Sequence, residues 1–298
     1  MTEHLINEEN AWQRFWNRGG WWKAVGFAAV YLVLYQVLPL AFAPWLGGLI
    51  DHENTFATPA SVFVAIGLAL AIGSVLLVVF SLTVGWLPRP LFGRQPVEGR
   101  WWMWFAPVLV LVPILLRVFG TDYSAYSAGV IAVTFLTGAL VGFSEELLTR
   151  GIAVTLLRRH GYREWAVAVL SSLVFALLHS ANLLTGQSLF FVSYLLVYTF
   201  TFGLLMYLVM RVTGNIVWAM LLHGLTDPTT MLATGGVDQA STSAQGPLLG
   251  LVGPATILMM VGAIILAIFI RGDARGRACA SEPAREPAVA SPEQPTGE

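Results

Sequence analysis

Long apolar runs without charged residues recur along the chain. The first lies between Lys23 and Asp51, where no Asp, Glu, Lys, Arg or His occurs. A helix needs about 20 residues to cross the hydrocarbon core of a bilayer, so this run predicts a membrane-spanning helix. The same pattern predicts seven more helices, near residues 60–86, 102–120, 128–157, 165–184, 188–210, 214–235 and 248–270. The sequence therefore predicts an all-α, polytopic membrane helix bundle with about eight transmembrane helices.

The hydropathy pattern alone allows more than one number of spans. Pro228 interrupts the seventh run, and only the short stretch from Leu184 to Ser188 separates the fifth run from the sixth, so six or seven spans are also possible. The basic residues favour an even number. All but Arg117 and Arg150 of the 16 basic residues fall in every second connection, which is typical of cytoplasmic loops. We therefore expect eight spans, with both termini cytoplasmic.

The composition agrees with a membrane protein. Apolar residues make up 56% of the chain and charged residues only 11%, whereas a soluble domain carries about 25% charged residues. The net charge of −1 provides no overall field that would attract nucleic acid. We therefore expect contact with the lipid bilayer and no nucleic-acid partner. The single cysteine, Cys279, cannot form an internal disulfide, which excludes a disulfide scaffold.

These patterns divide the chain into five parts. Residues 1–23 form a cytoplasmic or interfacial N-terminal segment, within which residues 8–22 are a candidate interfacial helix. Residues 24–127 hold the first three transmembrane helices, residues 128–235 hold helices four to seven, and residues 236–271 hold the last helix. Residues 272–298 are rich in Ala, Pro, Glu and Ser, a composition that predicts a disordered cytoplasmic tail.

Ionisable residues inside the predicted membrane helices mark the candidate functional site. A charged side chain in the hydrocarbon costs about 2.5 to 3.5 kcal/mol on insertion scales, so such residues are functional candidates. They are Glu145, Glu146 and Arg150 on helix four, His179 on helix five, and His223 and Asp227 on helix seven. Glu146 and Arg150 are four residues apart, which predicts an ion pair on one helix face. Glu145 points about 100° away from Glu146 on the same helix.

Depth in the membrane separates the catalytic candidates from the ion pair. With about 1.5 Å of rise per residue, Glu145, His179, His223 and Asp227 all lie roughly 18 to 24 Å from the cytoplasmic helix ends. Four polar groups at one level on three helices indicate a shared site. Taken alone, each intramembrane His could instead be an interhelical hydrogen-bond donor.

Three short motifs resemble those of one protein family. They are EELLTR (Glu145 to Arg150), FALLH (Phe175 to His179) and HGLTD (His223 to Asp227). In order and spacing they are similar to the motifs of the CPBP family (CAAX proteases and bacteriocin-processing proteins, also called ABI), which includes the type II CAAX prenyl endopeptidases. The resemblance covers roughly residues 128–235, which would then be the catalytic core.

The resemblance implies an intramembrane endopeptidase and a role for each motif residue. Glu145 and His179 would activate a water molecule, and His223, helped by Asp227, would stabilise the oxyanion. Glu146 and Arg150 would hold the motif-one helix in place, and we expect Phe175 to contribute packing. The family often has Asn where this chain has Asp227, and an ionised Asp only accepts hydrogen bonds. We therefore expect Asp227 to orient His223 or to keep it cationic.

Two other classes of function stay open. Glu145, His179, His223 and Asp227 could together ligate zinc, which would make the protein an intramembrane metalloprotease. No HExxH motif occurs in the chain, so we predict no cofactor. The third class is a transporter or scaffold, against which the sequence shows no inverted repeat. We expect a peptide or lipidated-protein substrate and a multi-pass location in a prokaryotic cell membrane.

Overall fold

The computed structural model describes residues 9–235 and 246–274. Within those ranges the protein is helical and contains no β-strand, which confirms the predicted all-α fold class. Predictions for residues 1–8, 236–245 and 275–298, including nearly all of the predicted disordered tail, lie outside the described residues.

Nine main helices make up the described chain. They are α1 (Ala11–Asn17), α2 (Trp21–Val37), α3 (Pro59–Thr83), α4 (Phe105–Gly120), α5 (Ala128–Arg159), α6 (Glu164–Leu178), α7 (Leu189–Thr213), α8 (Ile216–Thr234) and α9 (Val252–Ile268). Two of them include π-helical segments, Phe63–Gly67 in α3 and Leu147–Ala153 in α5. Short turns extend α2 to Leu49 and α6 to Leu183.

The predicted interfacial helix over residues 8–22 is shorter in the structure. Helix α1 ends at Asn17, and Gly19 and Gly20 then adopt positive φ angles of 63° and 125°. A side chain at Gly19 would also collide with the Leu156 carbonyl. The backbone conformation at this glycine pair therefore separates α1 from the first membrane helix.

Helices occur at all eight predicted positions, as α2 to α9. Of the described helices, seven are long and apolar enough to cross a membrane, namely α2 to α7 and α9. Helix α8 is not one of the seven, because its His, Asp, Thr and Pro residues lower its mean hydropathy. It nevertheless packs against α4, α5 and α7. The seven apolar helices make the protein an integral multi-pass membrane protein. The predicted number of eight spans is reached only if α8 also crosses the membrane.

The basic connections predicted to share one side of the membrane meet at one end of the bundle. We call this the basic end; it contains residues 18–20, 89–100, 158–163, 211–215 and 271–273. Backbone hydrogen bonds join these connections, from Gly20 to Leu156, from Gln95 to Gly214 and from Glu164 to Gly272. The alternation of basic residues along the chain therefore corresponds to a real division between the two ends.

The opposite end, which we call the far end, contains residues 50–58, 121–127, 184–188 and 246–251. Here the Tyr126 hydroxyl donates a hydrogen bond of 2.9 Å to the Leu232 carbonyl, and the rings of Phe56 and Tyr126 meet edge to face. Leu248 and Leu249 pack beside the last residue of α4, Gly120.

Four polar side chains at the basic end form a saturated cluster, in which the buried polar atoms are hydrogen-bonded. This basic-end cluster consists of Arg158, Glu164, Tyr207 and Arg211. Arg158 donates two hydrogen bonds of 2.8 Å to the Glu164 carboxylate, and Arg211 donates one of 3.0 Å. Tyr207 also donates to this carboxylate. Arg211 further donates to the carbonyls of residues 97 and 98, so the cluster ties α5, α6 and α7 to the connection before α4.

Glycines let α5 and α8 cross in close contact. Gly138 and Gly142 form a GxxxG pattern on α5, and Gly224 faces them from α8. A side chain at Gly142 would collide with the Met220 carbonyl, and one at Gly138 would collide with Pro228. Small residues at a membrane helix crossing allow such backbone contact. This crossing sets Glu145 and Glu146 opposite His223.

Candidate active site

The structure changes helix geometry directly after the two adjacent glutamates. Helix α5 is α-helical to Glu146 and π-helical over Leu147–Ala153. Segments of this kind often occur at functional sites because they shift the register of side chains around a helix. The Glu146 carboxylate is fully buried, whereas the Glu145 side chain is 24% exposed. Two neighbouring carboxylates therefore occupy different environments.

Glu146 joins two helices through one oxygen atom. Its Oε1 accepts a hydrogen bond of 3.1 Å from Arg150 and one of 2.8 Å from His223 Nδ1. The predicted Glu146–Arg150 ion pair is present, with both side chains fully buried. A carboxylate only accepts when ionised, so Nδ1 of His223 carries the hydrogen in this bond. The sequence pattern did not indicate that Glu146 also orients His223.

The other nitrogen of His223 faces two carboxylates. His223 Nε2 lies 3.6 Å from Glu145 Oε2 and 3.7 Å from Asp227 Oδ2. These separations exceed a normal hydrogen-bond length but keep both carboxylates within ion-pair distance of the ring. His223 is buried, while the carboxylate of Asp227 is 30% exposed. The structure thus brings Glu145, His223 and Asp227 together, with Asp227 beside the nitrogen that Glu146 does not hold.

His179 lies where α6 tightens into a 3₁₀ turn, His179–Leu183. Its Nδ1 donates a hydrogen bond of 3.1 Å to the Phe175 carbonyl. This bond places the hydrogen on Nδ1 and leaves Nε2 of the neutral ring able to accept a proton. Asn182 lies one turn further and donates 3.1 Å to the His179 carbonyl, which supports the turn.

Two phenylalanines surround the histidines. Phe175 is buried and makes edge contacts with His179 and His223, at ring-centre distances of 5.0 and 5.6 Å. Its other neighbour is the Arg150 guanidinium, 4.7 Å from the ring centre. Phe202 of α7 contacts His223 from another side, at 4.9 Å. The expected packing role of Phe175 therefore extends to both histidines and to the ion pair.

The candidate catalytic residues open onto one cavity of about 420 Å³. Glu145, His179, His223 and Asp227 all contribute to its wall. Its other polar residues are Tyr31, Tyr35, Gln36, Asn182, Thr185, Tyr198, Thr199, Thr226 and Thr230. Glu146 and Arg150 are not part of the wall and lie behind it. The four candidate catalytic residues thus face the cavity, and the ion pair supports them from the protein side.

Sequence reasoning missed the tyrosines and Phe202. Tyr31 and Tyr35 come from α2, far from the motif helices in the chain. Phe202 comes from α7, which carries no Asp, Glu, Lys, Arg or His before Arg211. Aromatic residues in an apolar run look like ordinary packing or lipid contacts. Only the tertiary arrangement could assign them to the site.

The zinc alternative requires a suitable set of ligands. In the described part of the chain, no group of three or more His, Cys, Asp or Glu side chains is arranged to hold a metal ion. His179 Nδ1 is also engaged with a backbone carbonyl. The four candidate ligands are therefore not arranged as a metal site in the described structure.

An all-helical membrane bundle with a Glu and His cavity inside it defines an intramembrane site suited to hydrolysis. The sequence comparison is consistent with this class. Residues 127–229 match the family described as type II CAAX prenyl endopeptidase Rce1-like. The match covers roughly a third of the chain, includes all three motifs, and confirms the resemblance to the CPBP and CAAX protease family. A comparison with curated proteins found no match.

Proposed function

We propose that this protein is an intramembrane endopeptidase that hydrolyses a peptide bond of a membrane-associated or lipidated protein, using a water molecule activated by Glu145 and His179. The observation that carries the proposal is the convergence of Glu145, His179, His223 and Asp227 on one cavity within the bundle. The family match supports proteolysis as the class of reaction.

The attacking water would lie between Glu145 and His179. The Glu145 carboxylate is partly exposed to the cavity. In His179, Nδ1 is bonded to the Phe175 carbonyl, so Nε2 is available to the water. In the proposed step, one of these groups takes a proton from water as the oxygen bonds to the carbonyl carbon of the substrate. The same proton then passes to the leaving nitrogen as the peptide bond breaks. General base catalysis of this kind contributes about 10²- to 10⁴-fold.

His223 would stabilise the oxyanion formed in that step. Glu146 fixes the ring through Nδ1, so Nε2 points toward the carboxylates of Glu145 and Asp227. Three carboxylates around one imidazole offset a positive charge on the ring, and a protonated Nε2 can donate to the oxyanion. In this role Glu146 is a positioning residue, and Arg150 holds Glu146 in turn.

Mapping of cleavage sites in cells tests the proposal. Membranes from cells that express the wild type or the Glu145→Gln variant are compared for new protein N-termini. Glu53→Gln, a change of an exposed glutamate in the far-end connection, serves as the matched control. We expect a set of N-termini that is present with wild type and Glu53→Gln and lost with Glu145→Gln. Identical sets from all three proteins would refute proteolysis through Glu145.

A further inference from the structure

The cavity occupies only one half of the bundle. Helix α5 lines it with residues 141–145, α6 with residues 175–182, and α8 with residues 223–231. On these helices, the wall residue nearest the basic end is Glu145, Phe175 and His223, respectively. Within the described chain, none of the wall residues on α5, α6 or α8 lies between these positions and the basic end. The catalytic candidates therefore form the floor of the cavity, and the remaining wall extends toward the far end.

A closely packed apolar layer separates this floor from the basic end. Its residues come from α5, α6 and α7 and are each at most 1% exposed: Leu147, Leu148, Ile152, Val167, Ala168, Leu205 and Leu208. The saturated basic-end cluster lies beyond this layer. A peptide coming from the basic end would have to displace both, and protein interiors are packed too densely to admit one without rearrangement.

The opposite side of the cavity is open and polar. Thr185, in the far-end connection between α6 and α7, and Gln36 of α2 are wall residues with exposed side chains. Thr230 lies partly buried between this opening and Asp227 on α8. Hydroxyl and amide groups along this path can form hydrogen bonds with an extended peptide backbone. The path from the far end to Glu145 thus suits a peptide chain.

The distribution of basic residues assigns the two ends to sides of the membrane. The basic end holds most of the Lys and Arg residues, and the far-end connections around Asp51, Asp122 and Thr185 hold none. Loops enriched in Lys and Arg stay in the cytoplasm. Building on the proposed function, we propose that substrates enter from the extracytoplasmic side. The substrate class is then a membrane-anchored protein whose scissile bond lies in or just outside the outer leaflet.

Cysteine labelling in intact cells tests the direction of access without knowledge of a substrate. Replacement of the single cysteine, Cys279→Ser, gives a cysteine-free background. Single cysteines are then introduced by Thr185→Cys at the opening and Thr230→Cys inside the cavity. Ala125→Cys is a far-end control outside the cavity, and Glu98→Cys is an exposed control at the basic end. The probe is a small, charged, membrane-impermeant methanethiosulfonate.

We expect the Ala125→Cys, Thr185→Cys and Thr230→Cys variants to react in intact cells, and Glu98→Cys to react only after permeabilisation. Labelling of Thr230→Cys only after permeabilisation would overturn the proposal. So would labelling of Glu98→Cys from outside, or a Thr230→Cys variant that reacts with a permeant maleimide but never with the charged probe. The same labelling is expected with Glu145→Gln added, because access does not depend on catalysis.

The positions of cleavage sites provide a second test of the side from which substrates enter. If proteolysis is found, Glu145-dependent sites should map to extracytoplasmic segments next to a membrane anchor. Sites within a few residues of a cytoplasmic C-terminus would overturn the proposal. If no proteolysis is found, the proposed function fails while the labelling experiment still determines which side of the membrane the cavity faces.

Discussion

Two buried clusters of charged side chains lie in this bundle, and they differ in how fully their polar atoms are bonded. In the basic-end cluster, the Glu164 carboxylate accepts from Arg158, Tyr207 and Arg211. In the cluster behind the cavity, formed by Glu146, Arg150 and His223, several buried atoms have no hydrogen-bond partner in the described structure. These atoms are Glu146 Oε2, Arg150 Nε and one terminal nitrogen of Arg150.

We infer from this difference that the first cluster is structural and that the second serves the proposed function. Buried polar groups are normally hydrogen-bonded, and each exception in a folded protein needs an explanation. The saturated cluster joins four segments far from the cavity, which is what stability requires. The incompletely bonded cluster lies behind the candidate catalytic residues, where Glu146 bonds His223. We therefore expect changes in the first to alter stability alone and changes around the second to alter activity.

The largest effect is expected at His179. His179→Ala removes a proton acceptor from the cavity and should lower kcat by about 10²- to 10⁴-fold while thermal unfolding in detergent stays near that of the wild type. His160→Ala is the matched control, because His160 stacks on Tyr162 at the basic end. Cleavage of a confirmed substrate by His179→Ala at the His160→Ala rate would remove His179 from the mechanism.

The second prediction compares one variant in each of the two clusters. Glu164→Gln and Glu146→Gln each weaken a buried pairing, and we expect each to lower the free energy of unfolding by about 3 to 5 kcal/mol. The activity of the remaining folded protein should distinguish them. It should stay normal for Glu164→Gln and fall for Glu146→Gln, because only Glu146 orients His223. Thermal unfolding and kcat of monodisperse protein measure both quantities. Equal activity losses would contradict the separation of roles.

A smaller effect is expected at Asp227. Asn has nearly the same shape as Asp, keeps an acceptor for His223 and adds a donor, whereas Ala removes both. Asp227→Asn should therefore retain more activity than Asp227→Ala, for which we expect a loss of about 10²-fold, similar to that of an oxyanion donor. Values of kcat/KM for the two variants provide the measurement. Complete inactivity of both would show that the negative charge itself is required.

The smallest effect is expected from metal removal. If Glu145 and His179 activate the water without a metal, dialysis against a chelator should leave kcat/KM unchanged. Metal analysis of the purified protein accompanies this measurement. Loss of activity on chelation, with recovery on addition of zinc, would replace the proposed mechanism with the metalloprotease alternative.

The sequence predicted most of the fold because the bilayer imposes simple rules. The apolar run after Lys23 and its successors gave helices at all eight positions, and the basic residues correctly indicated which connections meet. Helix α8 was the difficult case, since the candidate site residues His223 and Asp227 also reduce its apolar character. The helix boundary at Gly19 and Gly20 depends on local backbone angles that a hydropathy pattern does not report.

The candidate site was less predictable than the fold. Spacing along one helix indicated the Glu146–Arg150 pair, and depth indicated that Glu145 and His223 lie at one level. The bond between Glu146 and His223 depends on how closely α5 and α8 approach at Gly142, which is a property of two helices together. The contributions of Tyr31 and Phe202 required the tertiary structure for the same reason.

The basic-end cluster also has a consequence for biogenesis. Membrane helices are synthesised from the N-terminus, so Glu164 can pair with Arg158 soon after both have emerged. Arg211 arrives only after α7 has been made, and the backbone of Gly272 only after α9. The side-chain and backbone hydrogen bonds of Glu164 are therefore complete only after the final helix has been inserted. A chain that stops before α9 can already hold the Glu164 carboxylate through Arg158, Tyr207 and Arg211. It lacks the Gly272 carbonyl, so the backbone N–H of Glu164 at the start of α6 has lost its acceptor.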